Sequence, residues 1–109
     1  MADVLGAFEQ AVLLSVLRLA EEAYGRAILN EVQRRLHRNV AAGAVYATLD
    51  RLESKSLICS RLGAATVARA GRPRRYYSIE PAGIRALNEA KAAVERLWEG
   101  HRWPLRGRA

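Results

Sequence analysis

Apolar residues in the first third of the chain recur with a helical period. From Ala7 to Ala20 they fall at Phe8, Val12, Leu13, Leu14, Val16, Leu17 and Leu19, which covers more than one helix face. A helix buried on two sides is expected there, and a small domain has one core to offer. The second side is therefore expected against a partner chain. Tyr24-Gly25 breaks the pattern, and a second helix follows through about Leu36, with Ile28, Leu29, Val32 and Leu36 inward. Its other face carries Arg26, Asn30, Glu31, Arg34 and Arg35 and reads as a solvated surface, with Asn39 the expected left-handed residue at its end. A third helix runs from about Ala42 to Ser54, with Val45, Leu49 and Leu52 on its core stripe. Gly43, Ala47, Asp50, Arg51 and Ser54 point the opposite way, and Ala44 and Tyr46 lie on the flanks. Small residues and one tyrosine make a surface that can enter a groove without steric conflict.

The period then changes. Leu57 to Leu62 reads as a short strand and Arg74 to Ile79 as a second, joined by the glycine-bounded stretch Gly63 to Gly71. The pair is a hairpin with a long tip. Pro81 suits the first position of a last helix, which continues to about Glu99 with Ile84, Leu87, Val94, Leu97 and Trp98 on one stripe. At about 1.5 Å per residue that helix is on the order of 28 Å long, more than so small a core can cover. Gly100 and Pro104 end it and leave an arginine-rich tail.

Composition narrows the function classes. With 109 residues, 50% of them apolar and 27% charged, the chain has the balance of one globular domain. One cysteine cannot form an internal disulfide, and with two histidines it cannot build a zinc site, so neither metal nor cofactor is expected. Charge changes the picture more. Eighteen basic residues against eleven acidic ones give +7, and sixteen of the eighteen are arginine, whose planar fork suits phosphate and guanine. A polyanion is the implied partner, nucleic acid ahead of a membrane surface. From Lys55 through Ile79 the basic residues are Lys55, Arg61, Arg69, Arg72, Arg74 and Arg75, with no acidic residue among them. Asp3 precedes the apolar run from Val4 to Ala20, and Glu9 and Arg18 interrupt it. Neither a signal peptide nor a bilayer span is expected, and the expected location is cytoplasmic.

Helix, short break, helix, basic hairpin and closing helix is the order of a winged helix-turn-helix, an α+β and mainly helical fold. A generic small α+β domain with a charged hairpin fits the same periodicity. The residues themselves are more specific. Leu5-Gly6-Ala7-Phe8-Glu9, Tyr24-Gly25, the stretch from Gly43 through Tyr46 and Thr48 to Glu53, and Gly71-Arg72-Pro73-Arg74-Arg75-Tyr76-Tyr77 follow in that order. Over roughly residues 5 to 99 the chain resembles the PadR family of bacterial transcriptional regulators in its short form.

That resemblance implies a homodimeric winged-helix repressor of a two-fold symmetric double-stranded DNA operator. Residues 1–79 would be the DNA-binding part, residues 80–100 a dimerisation helix of the same compact domain, and residues 101–109 a basic tail. Gly43, Ala44, Tyr46, Ala47 and Thr48 would meet DNA from the third helix, and Arg69, Arg72, Arg74 and Arg75 from the wing. Phe8, Val12, Val94, Leu97 and Trp98 would form the dimer interface, and Trp98 is also a candidate contact for a small aromatic effector. The chain departs from the family pattern at Glu80, where threonine commonly caps the last helix, and at Ser56, where glycine commonly turns the chain.

Each residue also has a plainer role. Tyr46 could pack on the second helix, Tyr76 and Tyr77 divide between core and surface, and Arg51 and Glu53 suit an intramolecular pairing network. Arg69 could be merely solvated, and Cys59 reads as a buried structural thiol. His37 and His101 have no carboxylate to orient them, and no nucleophile elbow or phosphate loop is present, so no enzyme is expected. Two rival functions stand beside the repressor: a sensor that releases DNA when an aromatic ligand binds near Trp98, and a basic adaptor for an acidic protein.

Overall fold

Glu9 turns back at the start of the first helix and accepts the Gly6 N–H at 3.3 Å, half of a capping box, to open α1 (Ala7–Leu19). The computed structural model describes residues 4–64 and 69–107. A 3₁₀ turn over Ala20–Glu22 leads into α2 (Gly25–Leu36) and α3 (Ala42–Ser54). The hairpin follows as β1 (Ile58–Leu62) and β2 (Arg75–Ile79), and α4 (Pro81–Trp98) closes the chain. This is a winged helix-turn-helix. The strands are antiparallel, Ile58 opposite Ile79 and Leu62 opposite Arg75. A bridge between Tyr24 and Tyr76, with the Tyr77 N–H donating to the Ala23 carbonyl at 2.8 Å, ties the entry of α2 to the wing.

The core is where three helical stripes meet the inner face of the hairpin. Val12, Leu13 and Val16 of α1 pack with Ile28 and Val32 of α2, Val45, Leu49 and Leu52 of α3, and Ile58 and Tyr77 of the strands. Helix α4 joins only by its first half, and Ala90 is its last buried residue. Its start is tightly seated. A Cβ on Gly83 would lie 2.4 Å from the Leu57 carbonyl oxygen, which already accepts the Glu80 N–H at 2.9 Å. No described helix is long and apolar enough to cross a membrane.

Several expectations are corrected here. His37, not Asn39, is the left-handed residue ending α2, with φ 54° and ψ 40°. Gln33 explains the shift: its carbonyl accepts the His37 N–H, and its side chain accepts the Val40 N–H at 2.9 Å, so the turn closes early. Cys59 is exposed, because the two-residue period of β1 turns Ile58 inward and Cys59 out. The nearby Glu80 carboxylate, with desolvation, pushes the Cys59 pKa up and keeps the group protonated. Glu31 is not on a solvated face; it is 2% exposed. Ser56 keeps the left-handed turn that glycine usually makes, at φ 62°. That conformation costs a side-chain-bearing residue roughly 1–2 kcal/mol.

Glu31 is buried by cations rather than by apolar side chains. Arg34 and Arg35, three and four residues on, both bond its carboxylate, Arg35 Nε at 2.7 Å. Arg18 of α1 approaches the same carboxylate at 3.4 Å. The Arg35 hydrogen bond, helped by Arg34 and opposed by desolvation, holds the Glu31 pKa below the usual carboxylate value. The cluster therefore pins α1 to α2.

Candidate nucleic-acid interface

Helix α3 begins at Ala41 without a side-chain cap and with no acidic residue in its first turn. Ala42, Gly43, Ala44 and Ala47 are all exposed, giving a narrow, nearly bare leading edge. Thr48 is the exception among the expected contacts. It lies on the core stripe between Val45 and Leu52, is buried, and accepts a bond from Arg51 at 3.2 Å, so it does not face outward.

Tyr46 packs on the second helix and still reaches the surface. Its ring lies against Gly25 at the start of α2, where a Cβ would come within 2.4 Å of Cε1, yet the residue remains 43% exposed. Gly25 thus sets the pose of the tyrosine. Gly25→Ala is expected to leave the melting temperature within a few degrees of wild type, since the displaced group is the free end of a side chain and alanine favours the helix. The same change should reorient Tyr46 and reduce discrimination between specific and random duplex by several-fold, measured by paired titrations.

The wing stands beside α3. Arg69 and Arg72 close a turn on each other: the Arg72 N–H donates to the Arg69 carbonyl at 3.0 Å, and Arg69 Nε donates to the Arg72 carbonyl at 3.1 Å. Arg69 is therefore held, not merely solvated. Arg75 donates to Ser60 Oγ at 3.0 Å, and Ser60 in turn donates to Glu53 at 2.7 Å. The centre of the tip, residues 65–68, lies outside the described residues. Between the base of the wing, α2 and Tyr46 is a recess of about 210 Å³, lined by Tyr24, Arg26, Arg69, Arg74 and Arg75. Tyr77 closes its floor; burial, with the Asp50 carboxylate, pushes its phenol pKa up, so it stays neutral.

Two of the acids are taken up by other cations. Arg18, Arg34 and Arg35 share Glu31, and Arg51 and Lys55 share Glu9. Among the described residues no salt bridge reaches Arg26, Arg69, Arg72, Arg74 or Arg75. Their charge is available to a polyanion.

The expected interface residues separate. Val94 and Leu97 of α4 are exposed, at 43% and 77%, and Trp98 is partly so at 36%. Phe8 is half-buried against the core. Val12 is fully buried within its own subunit and offers nothing to a partner, because its side of α1 meets α2 and α3. Leu14 and Leu17 carry the outer apolar face of α1 instead. Sequence reasoning missed Tyr24 and Arg26 as members of the basic recess. The signal was present in an arginine at the positive end of a helix, where a cation is unfavourable without an anionic neighbour.

Residues 13–89 match the family of PadR-like transcriptional regulators. The chain belongs to this family. The PadR-like chain is similar to the transcriptional regulator Rv3488 of Mycobacterium tuberculosis, with 38% identity over 89 residues, 80% of this chain and 78% of the relative. It is also similar to the crystal structure of a PadR family transcriptional regulator from Eggerthella lenta, at 30% identity and TM-score 0.65, covering 82% of this chain and 75% of that one. Its fold matches that of BpsR from Bordetella bronchiseptica, a protein whose DNA binding is regulated by 6-hydroxynicotinic acid. That match has 15% identity and TM-score 0.67, over 97% of this chain and 72% of the other. The resemblance carried by the tyrosine-bearing helix and the Gly-Arg-Pro wing is borne out, and the family is one of transcriptional regulators rather than enzymes.

Proposed function

We propose that this PadR-like regulator works as a two-fold dimer that represses by occupying its operator. Each subunit places the leading edge of α3 in a major groove while the wing reaches phosphates on the flank. The observation that carries the reading is the bare start of α3 beside a wing whose arginines form no salt bridge among the described residues. Phosphate contacts supply most of the affinity, and Tyr46 with Gly43, Ala44 and Ala47 supplies sequence choice. Footprinting on the DNA upstream of its own gene tests the operator directly. A protected, two-fold symmetric site is expected, and uniform, salt-fragile retention with no preferred site would favour the basic-adaptor reading.

The dimer rests on the unburied half of α4. Val94, Leu97 and Trp98 form an apolar stripe beyond the last buried position of that helix, and Leu14 and Leu17 leave α1 open as well. Sedimentation at micromolar concentration is expected to show a dimer, and a stable monomer would reject the arrangement. Trp98, partly exposed within that stripe, favours a second reading in which an aromatic effector enters the dimer interface and releases DNA. Quenching of tryptophan fluorescence by a panel of aromatic acids, retained in Trp103→Phe and lost in Trp98→Phe, would establish it.

A further inference from the structure

A second recess, of about 340 Å³, lies between the end of α1, the 3₁₀ turn and the strands of the wing. Val16, Leu17 and Ile79 give it an apolar lining, Tyr76 an aromatic one, and Glu21 and Arg61 two opposite charges. That size, with mostly apolar walls and a few polar groups, is the make-up of a small-molecule site. No residue of α4 lines it, so it is separate from the stripe that carries Trp98.

Two features distinguish the recess from an ordinary surface hollow. Arg61 is held over the Tyr76 ring, its guanidinium carbon 5.0 Å from the centroid, so the cation is ordered before any ligand arrives. The ring takes none of its hydrogen bonds, which stay available. Ala20, also in the lining, ends α1 at φ 53° and ψ −117°, a conformation that side-chain-bearing residues rarely adopt. Backbone of that kind persists where the surrounding structure imposes it, and it concentrates at ligand-binding sites.

The two charges select the ligand. Neither Glu21 nor Arg61 belongs to a salt bridge among the described residues, although both line the same recess. A simple carboxylic acid would meet Arg61 but also the Glu21 carboxylate, and a simple amine would meet the reverse conflict. Beside apolar walls such repulsion is screened less than in water. A molecule with an ammonium, a carboxylate and an apolar side chain satisfies every wall at once, through charge-assisted hydrogen bonds at both ends.

We propose that this recess binds a free amino acid with an apolar side chain. Its carboxylate sits on Arg61, its ammonium on Glu21, and its side chain against Val16, Leu17 and Ile79. The site also has a route to the DNA-facing surface. Tyr76 meets Tyr24 edge-to-face at 5.8 Å, and the next residue, Gly25, lies against the Tyr46 ring. A carboxylate that draws Arg61 off Tyr76 disturbs that pair, so the amino acid favours a state that binds duplex less well. This second step rests on the DNA-binding reading, whereas the site itself does not.

Calorimetry on the full chain tests the site, with L-leucine as the probe. Isocaproate is leucine without its amine, and isopentylamine is leucine without its carboxylate. L-leucine is expected to bind, and each analogue to bind roughly ten-fold more weakly. Glu21→Gln should weaken L-leucine by a similar factor yet strengthen isocaproate, because the repelling carboxylate is gone. Arg61→Gln should weaken L-leucine and strengthen isopentylamine. Both side chains are exposed, and damage to the fold would not invert a preference between ligands. Saturating L-leucine should weaken binding of a mixed-sequence duplex several-fold, and duplex should weaken L-leucine by the same factor.

Absence of L-leucine binding, or isocaproate binding wild type as tightly as L-leucine does, overturns the site and leaves the DNA-binding reading standing. Duplex affinity unchanged by saturating L-leucine overturns the route to DNA. If wild type binds no duplex, the DNA-binding reading fails, and calorimetry alone decides the site.

Discussion

Replacing Arg72 and Arg75 together by alanine is expected to weaken duplex binding by roughly thirty-fold at physiological salt, for all sequences alike. Each phosphate contact contributes about 0.9 to the slope of log affinity against log salt, which is close to five-fold per contact at that ionic strength. Both side chains are exposed and neither has an acidic partner among the described residues, so the loss is not softened by an internal ion pair. The slope itself should fall by about 1.8. Tyr46→Ala should behave oppositely. It removes an uncharged, 43% exposed contact at the leading edge of α3, so the slope should hold while operator discrimination falls by about 1 kcal/mol or more. Both results come from one titration series. Specificity lost from the wing and kept at Tyr46 would mean that the wing reads sequence.

Glu31→Gln is expected to destabilise the protein by about 2 kcal/mol at neutral pH, the size of a charge-assisted hydrogen bond lost from a sheltered site. The three arginines around Glu31 are each at least half exposed and relax into water, which keeps the loss from being larger. At that size the melting temperature falls by roughly 10 °C at fixed protein concentration. The pH dependence identifies the cause. The native pKa of Glu31 lies below its unfolded value, so its contribution is fully present above that unfolded value, about 4.3. It is lost as pH falls through the lower native value. Wild type and variant should therefore differ most at pH 7 and converge in acid. A difference that is flat from pH 7 to pH 3 would assign the effect to packing alone.

Much of this molecule is legible in its sequence because its elements follow one dominant signal. The bounds of α3 and the two-residue period of the strands come from apolar spacing that tertiary packing then reinforces. Glu31 was not legible in that way. Polar residues on one helix face look solvated until the helix they face is known, and Arg18 is thirteen positions away. The spacing from Glu31 to Arg34 and Arg35 was the available hint, since three and four residues bring side chains together on a helix. Val12 and Thr48 show a related limit. A helix apolar on most of its surface does not say which side meets its own subunit, and a small polar residue on a core stripe is easily assigned outward. Tyr24 lay beyond periodicity altogether, because its role comes from a bridge to a strand fifty-two positions later.

Helix α1 touches α2, α3, α4 and the second strand of the wing, and the Glu31 cluster clamps its last turn to α2. Its outer flank, Leu14 and Leu17, is open. A body that grips that flank holds the axle on which the reading head turns. A small tilt of α1 would be passed through packed side chains to the entry of α2, and from there to the Tyr24 ring and the pose of Tyr46. The open flank of α1 and the exposed Tyr46 therefore lie at two ends of one packed path.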